Sequence, residues 1–163
     1  MVYRIYVEKK AGLDNEARAL LSEIGTFLGI HSVEKIRILN RYDAENITEQ
    51  LFNYAVNTVF SEPQVDDTSA ALPIGDYTVF AVEPLPGQFD QRADSCAQCI
   101  QLMAGVERPL IAYAKVYLLE GELSEADLTA IRGYLINPVE SREASMDKPE
   151  TLVRTYDIPN SVA

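Results

Sequence analysis

The sequence predicts an α/β (α+β) fold built from a duplicated β-α-β-α unit whose two copies form a pseudo-dimer. Three observations predict it. Strand-like and helix-like periodicities alternate twice along the chain. The two passes align at a shift of about 75 residues. The 163 residues, 47% of them hydrophobic, suffice to bury the shared core that one copy lacks.

The first pass opens at Tyr3, where Tyr-Arg-Ile-Tyr-Val-Glu alternates polar and apolar side chains and predicts a half-buried strand ending near Lys10. Gly12 makes a turn, Asp14 or Asn15 can cap a helix, and Leu20, Leu21, Ile24, Phe27 and Leu28 form its apolar face before Gly29 ends it. A second strand is expected over Val33 to Tyr42, with Ile36 and Ile38 on one face and Arg37 on the other. A second helix over Thr48 to Phe60 carries Leu51, Phe52, Ala55, Val56 and Val59 inward, and Pro63 prevents its continuation. SEPQVDDTSAALPIGD follows, polar and turn-rich, and reads as a connector.

The second pass repeats the order. Thr78 to Leu85 is a strand, Pro86-Gly87 a turn, Ala93 to Met103 a helix with Cys96, Cys99, Ile100 and Met103 inward, and Leu110 to Leu119 a strand. Ser124 caps a last helix to Ile136, with Glu125 and Asp127 at the positive end of its dipole. At the common shift Val7-Glu8 answers Val82-Glu83, Gly12 answers Gly87, and Asp14 answers Asp90 with one inserted residue. One such unit has a small sheet with an uncovered face, so the second copy is expected to bury it, and periodicity leaves open whether the halves form one continuous sheet or two packed ones. These patterns bound repeat one at 1–66, a connector at 67–76 and repeat two at 77–143. Beyond Ile136 neither period recurs. Residues 144–163 are expected to be a charged, Pro-punctuated linker leaving the domain, as in a chain cut from a longer one.

A net charge of -11 disfavours binding to a phosphate backbone, so nucleic acid is not an expected partner. No apolar run reaches the roughly 18 to 20 residues of a membrane span, and MVYRIYVEKK lacks a signal-peptide core, so no membrane association and a cytoplasmic location are expected. Cys96 and Cys99 have CxxC spacing, but they fall inside a helix rather than after a strand, and no second CxxC accompanies them. They read as packing residues. His31 stands alone, and Asp66-Asp67, without further spaced ligands, reads as a solvated loop; no metal site and no catalytic residue are expected. No phosphate loop, nucleophile elbow or HExxH motif is present.

The loop LPGQFDQRADS invites two readings. Gln88, Asp90, Gln91, Arg92, Asp94 and Ser95 can form an interface or substrate-proximal loop, with Arg92 pairing a carboxylate or phosphate. Equally, Asp90 or Asp94 caps the helix and Arg92 makes a surface salt bridge. Glu140, Arg142 and Glu143 in PVESREAS either dock a neighbouring domain or begin the charged linker.

YRIYVEKKAGLDNEA, VEKIRILNRYD, TVFSEPQVDD, LPGQFDQRADSCAQCIQL, AKVYLLEGELSEADL, YLINPVESREAS and KPETL occur in that order. Together they resemble the amino-terminal region of the large single-chain phosphoribosylformylglycinamidine synthases, over nearly the whole chain. The resemblance implies a parent enzyme of de novo purine synthesis, an ATP- and glutamine-dependent ligase that turns a formyl amide into an amidine. It implies that ATP and magnesium belong to the parent's synthetase domain and none to this fragment, which alone is inactive. It also implies that the fold is like the small-subunit dimer of the multi-chain enzyme. The partners implied are the synthetase and glutaminase domains of the same chain, with this region bridging them and supporting ammonia transfer. The alternative is a standalone small-molecule or regulatory binding module, with its site in the groove between the halves.

Overall fold

A computed structural model describes residues 1–153. The part of the expected linker at 154–163 lies outside the described residues. The elements in chain order are β1 (Tyr3–Lys9), α1 (Asn15–Phe27), β2 (Val33–Glu45) and α2 (Glu49–Ala55), which continues into a wider π-type turn over Val56–Phe60. Then come β3 (Asp66–Ser69), β4 (Tyr77–Pro84), α3 (Gln91–Ala104), β5 (Leu110–Gly121), α4 (Glu125–Leu135) and β6 (Ser141–Ala144). All six strands form one antiparallel sheet in the order β3-β1-β2-β5-β4-β6.

Local chemistry sets the helix ends. Thr48 accepts from the Leu51 amide and Ser124 from the Asp127 amide, the latter in a reciprocal capping box. Gly29 ends the first helical segment at φ 67°, and the Ile30 amide reaches back to the Ile24 carbonyl. Asp14 precedes α1 but its side chain caps nothing; it pairs with Arg18 instead.

Two apolar clusters join the helices to one face of the sheet. In the first, Phe52, Ala55, Val56 and Phe60 meet Cys96 and Ile100 over Ile5, Val7, Tyr42 and Ala44. In the second, Ala17, Leu20 and Ile24 of α1 meet Ile131 of α4 over Ile36, Phe80, Tyr117 and Leu119. Each early helix therefore packs against a late one: α1 with α4, α2 with α3.

The third cluster, Tyr6, Leu39, Ala81, Ala114, Val116, Leu118 and Ala144, lies on the other face and contains no helical residue. Leu72 of the connector and Met146 of the tail pack on it. The sequence-based expectation that one half buries the open sheet face of the other is thus corrected. The halves meet edge to edge along β2 and β5, paired from Val33↔Gly121 to Glu45↔Leu110, and the second face is covered by connecting chain.

Four local expectations also change. The connector contains β3, because Asp66 is drawn in by Lys9 at 3.0 Å and by the Glu62 amide at 2.8 Å; it is buried rather than part of a solvated loop. The segment after Ile136 contains β6, too short for periodicity to reveal and fixed by pairing with β4. Cys99 and Met103, expected inward, are exposed, since the buried face of α3 runs through Ala93, Cys96, Ala97 and Ile100. Phe27, at the last turn of α1, is 68% exposed.

Candidate functional site

Residues 83–90, which turn at Pro86 and Gly87, and the residues after β6 converge on one groove. β4 and β5 pair from Tyr77↔Glu120 to Val82↔Lys115 and then part, because β4 turns away through Pro84 and Pro86 towards α3. β5 continues alone on that side while still paired with β2 as far as Leu110. Pro149, Thr151 and Leu152 pass the gap, anchored by Glu45, whose Oε1 accepts from the Leu152 amide at 2.6 Å and the Thr151 hydroxyl at 2.8 Å. The result is a groove of about 650 Å³.

Its walls bring together four of the sequence-predicted residues, Gln88, Asp90, Arg142 and Glu143. Leu85 donates its amide to the Glu140 carbonyl at 3.0 Å, and Arg142 pairs with Glu83 at 2.7 Å, so the two stretches singled out in the sequence are physically joined. The other predicted residues stand apart from the groove lining. Asp90 also caps α3 through the Ala93 amide at 3.0 Å, Asp94 pairs with Arg108, and Gln91 and Ser95 are exposed on the helix.

Arg92 makes no carboxylate pair among the described residues, contrary to the surface salt bridge read as one option. Its guanidinium lies 4.9 Å from the Tyr113 ring centre and donates to the Tyr42 hydroxyl at 3.2 Å. Burial pushes both phenols up, the nearby Arg92 charge opposes this, and both rings stay neutral at ordinary pH. Tyr113 in turn donates to Asn40 at 2.7 Å.

Sequence reasoning missed the groove floor. Arg4 grips Asp43 through Nε and Nη2 at 2.7 and 2.8 Å and donates through Nη1 to the Met146 carbonyl. Arg41, 5% exposed, donates through Nη1 to the Ser145 carbonyl at 2.8 Å. A usable signal was present: Arg37, Arg41 and Asp43 alternate with apolar residues along one strand, which places all three on the face away from the helices.

Among the described residues no group of three or more His, Cys, Asp or Glu side chains could hold a metal ion. No helix among them is long and apolar enough to cross a membrane. Burial raises the Cys96 thiol to about 11, so it is unsuited to nucleophilic attack at neutral pH. His31 is exposed. The chain matches no family model and no curated protein.

Proposed function

We propose that this chain is a duplicated, non-catalytic assembly domain of a phosphoribosylformylglycinamidine synthase, cytoplasmic, bridging that enzyme's synthetase and glutaminase domains. One observation carries the duplication: the strand registers repeat. Tyr6 pairs with Ser69 and Lys9 with Asp66; 75 positions later Ala81 pairs with Ala144 and Pro84 with Ser141. Tyr3 pairs with Ala44, and Thr78 with Leu119, at the same offset. Independent sequences have no reason to keep three strands in one register twice. On this reading the repeat unit is β-α-β-α-β, since β3 and β6 correspond, and the two units form a pseudo-dimer about an axis near the Asn40↔Lys115 pair.

The bridging role rests on the sequence resemblance and on chemistry. Ammonia made in one site and consumed in another is lost to water unless the two are held in fixed register, so a rigid body that fixes their geometry has a purpose. The shared sheet and the crossed helix pairs give such rigidity. Exposed Phe89 and Val139, 73% and 74% accessible, lie on the two segments joined at Leu85 and Glu140 and supply an apolar contact for a neighbouring domain.

An immunoblot of source-cell extract with antibody against this domain tests the reading. A band far above 18.2 kDa is expected, and a band at that mass would defeat it. The groove favours a second reading, a small-molecule or regulatory binding module. Its lining draws Arg4, Arg41 and Asp43 from the first half and the remainder from the second half and the tail. Nucleotide bound tightly by the isolated chain would favour that reading.

A further inference from the structure

We infer that Arg41 is the receptor for a carboxylate group of a small ligand entering the groove between β4, β5 and the tail. Most other arginines of this chain hold a carboxylate. Arg4 presents its Nε–Nη2 edge to both oxygens of Asp43 at 2.7 and 2.8 Å. Arg37 presents the same edge to Glu8 at 2.8 and 2.5 Å. Arg18, Arg108, Arg132 and Arg142 also have carboxylate partners. Arg41 and Arg92 are the exceptions among the described residues, and Arg92 is exposed and rests on an aromatic ring.

Arg41 has no such relief. It is 5% exposed, its one protein acceptor among the described residues is the Ser145 carbonyl, and that bond uses Nη1. Among the described residues Nε and Nη2 have no protein acceptor, and the fully buried side-chain nitrogen lacking a hydrogen bond is Arg132 Nε rather than either of these, so the Arg41 pair faces accessible space. Arg41 lines the groove, which is that space. Burial and the neighbouring Arg4 charge both disfavour its cation, and Asp43, already held by Arg4, offsets them only in part.

The groove selects among anions. Glu83, Glu143 and Asp147 also line it, so a phosphate dianion meets more repulsion than a monoanion. A planar carboxylate matches the side edge of a guanidinium with two parallel hydrogen bonds, the geometry already used twice in this chain. β5 adds neutral donors. On its β4 side the backbone between Leu110 and Ala114 is outside the ladder, so every second amide there, the ones not turned to β2, faces the groove side and can bind the remainder of a ligand.

The inference stands apart from the bridging role, since neither needs the other. The test uses the whole 163-residue chain labelled with ¹⁵N, titrated with acetate against chloride at equal ionic strength. The Arg41 Nε–H resonance, assigned by its loss in Arg41→Lys, is expected to move saturably with acetate, with a dissociation constant on the order of 10 mM. Arg41→Lys, which keeps the charge and loses the two-point edge, is expected to bind at least tenfold more weakly when followed through the Ala112 and Tyr113 amides. Equal shifts with chloride, unchanged binding in Arg41→Lys, or tighter binding of inorganic phosphate than of acetate would each overturn the assignment. The wild-type titration decides the matter even if the variant folds poorly.

Discussion

Arg92 separates a structural from an interfacial reading of the loop that the sequence singled out. Arg92→Ala removes a guanidinium stacked on Tyr113 and the hydrogen-bond partner of the Tyr42 hydroxyl, and Tyr42 is 2% exposed. An exposed cation over a ring contributes about 0.5–1 kcal/mol. A buried hydroxyl left without its partner costs about 1–3 kcal/mol, and the 3.2 Å length and the water access of Arg92 place this case at the low end. The expected loss is about 2 kcal/mol, or about 4–8 °C in Tm for a domain of this size. Urea unfolding of wild type, Arg92→Ala, Tyr42→Phe and the double variant measures it, with a coupling of about 1 kcal/mol between the two sites. A single-variant loss below about 0.5 kcal/mol, or strict additivity, would refute the structural account and return Arg92 to the domain interface.

Other perturbations have equally definite outcomes. Gly121→Ala places a Cβ 2.2 Å from the Ser32 carbonyl oxygen at φ +133°, so a loss of about 3 kcal/mol or more is expected in the same unfolding assay. Iodoacetamide at pH 8 is expected to label exposed Cys99 while leaving Cys96, buried and raised to about 11, unmodified until denaturant is added; peptide mass mapping reads both sites. Burial raises the Tyr117 phenol to about 12, and a raised folded pKa gives stability that is complete below the unfolded value near 10 and lost as pH climbs through the folded one. Ultraviolet titration should therefore show part of the tyrosine signal appearing only with alkaline unfolding. Glu45 is shifted the other way, by the Leu152 amide first and the Thr151 hydroxyl second, so its contribution holds above the unfolded carboxylate value and fades as pH falls through the lower folded value. Hydrogen exchange at the Leu152 amide should lose protection in that acid window, and in Glu45→Gln at neutral pH.

Much of the fold was legible because its long elements carry their own period. β1, β2, β4 and β5 alternate, and the buried stripes of α1 and α2 recur at helical spacing. β3 and β6 were illegible for a physical reason. Each has four residues, three exposed in β3 and two in β6, and a place in the fold granted only by pairing at a sheet edge. Cys99 and Met103 were misplaced because the larger side chains on α3 drew the expected face towards them, while the buried face includes the small Ala93 and Ala97 beside Cys96 and Ile100. For the site, Gln88, Asp90, Arg142 and Glu143 were visible as unusual polar loops. Arg4 and Arg41 were hidden inside strands, where a charged residue in an alternating pattern reads as solvent-facing. That inference fails here because connector and tail, not water, cover the second face.

The same cover explains where the two halves differ in kind. On the duplication reading, positions 4, 41 and 43 correspond to 79, 116 and 118, which carry Val79, Val116 and Leu118 in place of Arg4, Arg41 and Asp43. The helix side of the sheet retains apolar residues in both copies, as mutual packing of α1 with α4 and α2 with α3 requires. The opposite side has no such symmetric demand. There the second half carries apolar residues in the cluster that Leu72 and Met146 cover, while the first carries charges that hold the carbonyls of Ser145, Met146 and Asp147. A charged pair buried under chain is a poor source of stability compared with packed valines, so its presence on only one half is better explained by what it fixes. It fixes the path of residues 145–147 across that face of the sheet.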